Sequence, residues 1–503
     1  MGQAAPVVLR LEGVTKRFGP LTANDAISFE LRRGEVVALL GENGAGKTTL
    51  MSILFGHYLA DAGRVEVEGR PLPPGDTRAA LAAGLAMVHQ HFTLADSMSV
   101  LENIALGTQP LWAPRLDRGR ALARIREMSA DFGLEVDPAA RIADLSVGER
   151  QRVEILKALY REARVLILDE PTAVLTPQES EALFATLRRL VARGLAIIFI
   201  SHKLGEVMAV SDRVLVLRAG RLVGERATAD TDRHALAELM VGAEIPRPDI
   251  GPAQPGPMLV EMKGVTAGGL GPVDLALRGG EITGIAGVSG NGQAALAEVL
   301  SGTLAPQAGT LAIEGRAAGA WSPRAALAAG IARVPEDRHG VGVIGDMSVT
   351  ENLVAEAYRA PAFSRRGWMK RPATRDFARR VIRDYEVKCP GPEAPARLLS
   401  GGNMQKLILG RALDGEPRII LASQPTRGLD VGAVAYVHAR LLEARARGAA
   451  VLLISEDLDE IMALSDRIHV ISRGRLSPPS ARGELSIREI GARMAGLGFD
   501  HAA

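Results

Sequence analysis

Apolar residues gather in short unbroken runs along this chain, without the polar alternation of a half-exposed strand. VVALL at 36–40, VLILDE at 165–170, AIIFIS at 196–201 and RVLVLRAG at 213–220 therefore read as strands buried on both faces. Between them, KTTLMSILF and the stretch from Glu149 to Leu159 predict helices. Strands alternating with helices predict an α/β fold with a mainly parallel sheet covered on both sides. The region from about 92 to 145 reads as mostly helical with polar faces, which predicts a helical subdomain inserted into the α/β core.

The pattern occurs twice. Gly41 pairs with Gly287 and Gln90 with Glu336 at an offset of 246; Ser146 pairs with Ser400, Asp169 with Ser423 and His202 with Glu456 at an offset of 254. The second copy thus gains 8 residues between Glu336 and Ser400. This period is too long for a solenoid and is the size of a whole domain. IPRPDIGPAQPGP, residues 245–257, carries proline and glycine without helical or strand periodicity and predicts a linker between domains 1–244 and 258–503.

Composition narrows the class. A chain of 503 residues that is 47% apolar supports two globular domains, each with its own core. Its 60 basic and 58 acidic residues nearly cancel, so no net field argues for a nucleic-acid partner. The single cysteine, Cys389, cannot form an internal disulfide, which fits a reducing compartment. MGQAAPVVLRLEG has neither the build of a signal peptide nor, with Pro6, that of a myristoylation site, and no apolar stretch approaches the roughly 20 residues a membrane span needs. Another chain is expected to supply any passage through a bilayer.

The chemistry concentrates in the first half. Gly41-Glu42-Asn43-Gly44-Ala45-Gly46-Lys47-Thr48-Thr49 fits the Walker A pattern between a strand and a helix. Gly41, Gly44 and Gly46 let backbone N–H groups turn inward around a polyphosphate, with Asn43 and Thr49 in the same cradle. Lys47 can reach the β and γ oxygens and Thr48 can ligate magnesium. The strand VLILDE ends in two carboxylates, suiting Asp169 to hold magnesium and Glu170 to polarise an attacking water. Such a pair alone is equally a solvated strand end; behind a Walker A loop at domain distance it is a strong signal. LSVGERQ at 145–151 puts Ser146 and a glycine at a helix start. His202 can donate to a γ-phosphate, Gln90 can sense magnesium or water, and Phe18 is either a platform for adenine or a core aromatic.

Walker A, Gln90, LSVGERQ, Asp169-Glu170 and His202 occur in the order that resembles an ABC (ATP-binding cassette) ATPase subunit, and the repeat extends the resemblance over almost the whole chain. The resemblance implies two tandem P-loop ABC ATPase cassettes, each a mainly parallel sheet core with an inserted helical subdomain, using ATP and Mg2+. One departure is Thr176 in PTAVLT, where the family often has aspartate.

The second half loses the charged groups: Gln293 stands for the lysine, Ala294 for the threonine, Ser423 and Gln424 for the two carboxylates and Glu456 for the histidine. A neutral amide forgoes charge-assisted bonds, and Glu456 brings the wrong sign toward phosphate. Yet LSGGNMQ at 399–405 and PTRGLD ending in Asp430 remain. In the family, cassettes pair head to tail, so the resemblance implies one competent composite site from Lys47, Thr48, Asp169, Glu170 and His202 with Ser400, Gly402 and Asp430, and one degenerate site.

A fused pair of this kind with VPEDR at 334–338 resembles the ATP-binding subunit of importers for simple sugars and nucleosides, and SQPTRGLDVGA looks more like the nucleoside branch than the ribose or galactose branch. The resemblance implies two transmembrane permease subunits, an extracytoplasmic solute-binding protein acting through them, and a place on the cytoplasmic face of the membrane. The helical subdomains after Gln90 and Glu336, containing SVLENIAL and SVTENLVA, either meet the permease or are ordinary amphipathic packing, and RRGWMKR at 365–371 is either near lipid headgroups or a solvated loop. A soluble ABC protein acting on ribosomes or DNA is the rival, and predicts competent motifs in both halves; a purely regulatory nucleotide-binding module predicts loss of Glu170.

Overall fold

The computed structural model describes residues 5–89, 92–108, 117–172, 175, 177–201, 203–244, 250–494 and 496. They form two compact units, Met1–Ile245 and Pro246–Ala503. In the first, the strands Val36–Leu40 and Ala196–Ile200 are buried along their entire length and lie at the centre of a six-stranded sheet. Its order is Arg221–Ala227, Arg213–Arg218, Val36–Leu40, Ala196–Ile200, Val165–Asp169, Leu85–Val88, parallel except for the first edge strand.

Register decides where the chemistry emerges. Leu39 lies beside Ile200, Asp169 beside Ile200, and Val88 beside Leu168. The segments that follow these strands therefore leave from one edge of the sheet, the carboxyl edge at which open α/β sheets bind ligands.

Each unit also carries a second, antiparallel sheet that the unbroken apolar runs do not announce. In the first unit its order is Leu21–Arg32, Val7–Phe18, Ala62–Val67, Arg70–Pro71. Its long strands mix charged and apolar positions because only one face is buried. The helix Lys47–Leu54 contributes Leu50, Met51 and Leu54, all fully buried, to the core this sheet shares with the parallel one. Each such side chain contributes about 1.5–3 kcal/mol.

The second unit repeats the plan. Ile331–Val334, Ile419–Ser423, Ala450–Ser455, Ile282–Ala286 and Arg467–Ser472 form its parallel sheet, and Leu270–Arg278, Met258–Ala267, Ala308–Ile313 and Arg316–Ala317 its antiparallel one. Ahead of its first strand, Ile250 packs against the core, and the carbonyls of Ile250 and Gly251 accept from Arg482 Nη1 at 3.4 Å and Arg445 Nη2 at 3.0 Å. Both guanidiniums also pair with the buried Asp466, Arg445 at 2.8 Å and Arg482 at 3.2 Å. The proline-rich segment is thus tied to this unit at its end.

The helical insertions share one local design. Ser99 and Ser348 close capping boxes with Glu102 and Glu351 at the starts of Val100–Ala105 and Val349–Val354. The buried amides of Asn103 and Asn352 grip the preceding loops, each accepting at 2.8 Å from the N–H of Ala95 or Ile344. Of the polar residues shared by SVLENIAL and SVTENLVA, the serine and glutamate thus cap their helix and the buried asparagine pins the loop before it. RRGWMKR, with Ser364 before it, forms the two-stranded hairpin Ser364–Arg365 with Trp368–Met369, where Trp368 is 82% exposed.

Candidate nucleotide-binding site

The strand Val36–Leu40 runs directly into the glycine loop. At Gly46, φ is +102°, and a Cβ there falls 2.2 Å from the Ala23 carbonyl oxygen. Only glycine fits this close approach. The approach is held by Asn24, a fully buried amide whose Nδ2 donates to Gly46 O at 3.1 Å, and by Gly220 N donating to Ala45 O at 3.2 Å. Gly41 is packed as tightly, with the Leu217 carbonyl oxygen 2.5 Å from a Cβ position.

The loop opens onto the helix Lys47–Leu54, whose first N–H groups have no intrahelical acceptor and carry the positive end of the helix dipole. Lys47 folds back, donating from Nζ to Gly41 O at 2.7 Å and Glu42 O at 3.0 Å. The ammonium is thereby held over the loop where phosphate oxygens would be received. Thr48 is exposed on the same turn, with Thr49 behind it and Asn43 and Gly44 exposed at the tip.

Asp169 ends its strand beside this loop. Burial, then the charge of Glu170, pushes its carboxyl above the ordinary 3.8, while His89 and Lys47 pull it down. A buried carboxylate in this position is relieved by a cation, and Asp169 with Thr48 offers the few oxygens that Mg2+ takes from protein when phosphates and water supply the rest. Glu170 has a left-handed backbone, φ +47°, fixed by its N–H donating to Ile200 O at 2.9 Å. A non-glycine residue there is strained, and such strain collects at functional positions.

The second unit keeps the backbone and loses the charge. Gly292 has φ +107° and Gln424 φ +46°, with Gln424 N donating to Ile454 O at 2.7 Å. Gln293 Nε2 donates to Val288 O at 2.7 Å and its Oε1 accepts from Asn291 N at 3.0 Å, so the loop is closed on itself by a neutral amide. Gln424 Oε1 accepts from Glu456 N at 3.3 Å. Ser423 Oγ, at the place of Asp169, is buried without a partner among the described residues.

Of the remaining sequence-derived residues, Ser400 stands at the N-cap position of the helix Gly401–Leu413 without a side-chain cap bond, Gly402 lies in its first turn, and Asp430 caps Val431–Ala446 by accepting from Ala433 N at 2.8 Å. Phe18 is 42% exposed and edge-on to Tyr58 with centroids 5.5 Å apart, so it is not a core aromatic. Gln90, His202 and Thr176 lie outside the described residues.

Three supporting residues were not legible beforehand. Besides Asn24, the buried Gln151 donates from Nε2 to Pro171 O at 2.7 Å, fixing the turn after Glu170. Glu206 accepts from the hydroxyls of both Thr172 and Ser201, joining the segments that follow two strands at the carboxyl edge of the sheet. Nothing in local sequence announces such contacts, although an asparagine inside a half-apolar strand, as at Asn24, is a cue.

A glycine loop between strand and helix, a lysine folded over it and a carboxylate pair at the end of another strand of the same sheet define a P-loop ATPase in the first unit, and the second unit repeats the fold without the lysine and the carboxylates. The family profile for the ABC transporter matches residues 24–173 and 270–427. The chain belongs to that family. It is 42% identical to the guanosine import ATP-binding protein NupO of Bacillus subtilis (strain 168), with 97% of each chain covered. It is also 42% identical to the nucleoside import ATP-binding protein NupA of Lactococcus lactis subsp. cremoris (strain MG1363), covering 98% of this chain and 99% of the relative. The glucose import ATP-binding protein TsgD13 of Haloferax volcanii is likewise 42% identical, with 97% and 96% covered.

Proposed function

We propose that this chain is the ATP-hydrolysing subunit of an importer for a small polar solute, most specifically a nucleoside, working with one competent and one degenerate site. The observation that carries the reading is the replacement of Lys47, Asp169 and Glu170 by Gln293, Ser423 and Gln424 on a matching backbone. Two of the three relatives above are named for guanosine or nucleoside import. The third, named for glucose import, supports a sugar importer as the second reading.

In the competent site the backbone N–H groups from Gly44 to Thr49 and the Lys47 ammonium bind the phosphates, and Phe18 offers a face to adenine. Mg2+, when bound, would neutralise phosphate charge; Thr48 and Asp169 would hold it, and Gln90 is the sequence's candidate for sensing it. Glu170 orients the attacking water and accepts its proton, and His202 donates to the γ-phosphate. Ser400, Gly402 and Asp430 complete the pocket from the second cassette, as pairing in the family implies. Closure on ATP and reopening after hydrolysis would drive two permease subunits that receive solute from an extracytoplasmic binding protein.

Among the described residues no helix is long and apolar enough to cross a membrane. The permease is placed against the helical insertions, where Val341, Ile344, Met347 and Leu398 are each more than 40% exposed. Association is then peripheral, on the cytoplasmic face. Co-expression with candidate permease genes tests this: the chain should sediment with membranes only when they are present and show nucleoside-stimulated ATPase after reconstitution. Stimulation by pentoses or hexoses alone selects the sugar reading, and a chain that stays soluble throughout refutes both.

A further inference from the structure

The two signature helices differ at the third residue after their serine, and the difference reverses a hydrogen bond. In the first unit, Glu149 Oε2 accepts from Ser146 N at 2.8 Å and from Ser146 Oγ at 2.7 Å, while Glu149 N returns a bond to Oγ at 3.4 Å. These bonds hold the Glu149 carboxyl below its usual range, so it is an acceptor only. The one O–H of Ser146 is consumed by its own helix cap.

In the second unit Asn403 stands in the place of Glu149. Its Oδ1 accepts from the backbone N–H of Lys388 at 2.8 Å, and a backbone N–H can only donate, which fixes the amide's orientation. Nδ2 therefore faces Ser400 and donates to its Oγ at 2.9 Å. The Ser400 hydroxyl is satisfied as an acceptor, is exposed, and has no acceptor for its own proton among the described residues.

Charge around the two helix starts differs in the same sense. At the matched positions Gly148 and Gly402, a Cβ falls 2.9 Å from Glu179 Oε1 in the first unit and 3.5 Å from the Ala433 methyl in the second, and one on Gly401, which matches Val147, falls 3.6 Å from Arg338 Nη1. By the repeat register, Ala433 stands for Glu179 in the second unit and Phe92 for Arg338 in the first. One serine thus bonds a carboxylate at a helix start that Glu179 also approaches, and the other bonds an amide at a helix start that Arg338 approaches.

We infer that Asn403 is a positioning residue for ATP hydrolysis: by donating to Ser400 Oγ it leaves the Ser400 O–H to be donated to the γ-phosphate, while Glu149 withholds the equivalent proton of Ser146. This inference rests on the composite-site reading above.

The test is a set of substitutions in the full chain with its permease. Asn403→Asp is isosteric, still accepts from Lys388 N, and turns its second oxygen toward Ser400, recapturing the proton. Turnover should fall about 10- to 100-fold, with ADP affinity and melting temperature unchanged. Asn403→Ala removes the amide but leaves the proton free, and should lower turnover by no more than about fivefold. A merely structural role makes the alanine variant at least as poor as the aspartate one, and that order overturns the inference, as does an aspartate variant at the parental rate. Ser400→Ala separates the two levels: if it is harmless, the composite-site reading itself fails; if it abolishes turnover while Asn403→Asp does not reduce it, only the role of Asn403 is refuted.

Discussion

Gln293 Nε2 donates to the Val288 carbonyl at 2.7 Å, from the position at which Lys47 Nζ donates to Glu42 O at 3.0 Å in the other unit. An amide can therefore close the loop as an ammonium does, but without charge for phosphate. Lys47→Gln should leave the melting temperature within about 2 °C of the parent, because a loop-closing bond remains. ATPase activity should drop by about 100-fold or more, since a transition-state charge contact is lost. Thermal denaturation and steady-state phosphate release check the two halves of this prediction.

Asp169 gives a pH dependence with a definite sign. Its folded carboxyl titrates above 3.8 because of burial and then Glu170. The folded state therefore holds the proton more tightly than the unfolded chain, and this group's stabilising contribution, full below about pH 4, is lost as pH rises through the folded value. Asp169→Asn should raise the melting temperature of the nucleotide-free protein at pH 7, and the advantage should vanish toward pH 4. The same variant should lose Mg2+-dependent ATPase activity. Melting curves across that range without divalent cations read the first effect directly.

Much of this site was legible in the sequence because its chemistry is local. The run VVALL at 36–40 coincides with a fully buried strand, and Gly41 to Thr49 follow it on one continuous stretch. What escaped is what the fold brings from a distance. Asn24 meets Gly46 across 22 residues, and the antiparallel sheet is masked by charges on its open face. Ser99, Glu102 and Asn103 look like surface polarity in one dimension, yet they cap a helix and grip a loop.

The buried Asp466 offers a stability test confined to the second unit. It is 7% exposed in its side chain, paired with Arg445 and Arg482, and accepts from Ile282 N at 2.9 Å. Asp466→Ala leaves two guanidiniums without their carboxylate and should cost about 3–5 kcal/mol. Hydrogen exchange should show faster opening of residues 282–286 and 467–472, with the first unit unchanged.

The two signature serines should differ in consequence. Ser400→Ala should reduce ATP turnover about as fully as Lys47→Ala, whereas Ser146→Ala should keep much of it, because the Ser146 hydroxyl already donates to Glu149. Reversed sensitivity in a steady-state assay refutes the assignment of serines to sites.

The most direct measurement is the ATP turnover of the full-length Glu170→Gln chain assembled with its permease. With hydrolysis confined to the first Walker loop, the rate should fall below about 1% of the parental value while ATP binding persists. A residual rate near half of the parental one would mean that the loop at Gly287, with Gln293 and Gln424, also hydrolyses ATP.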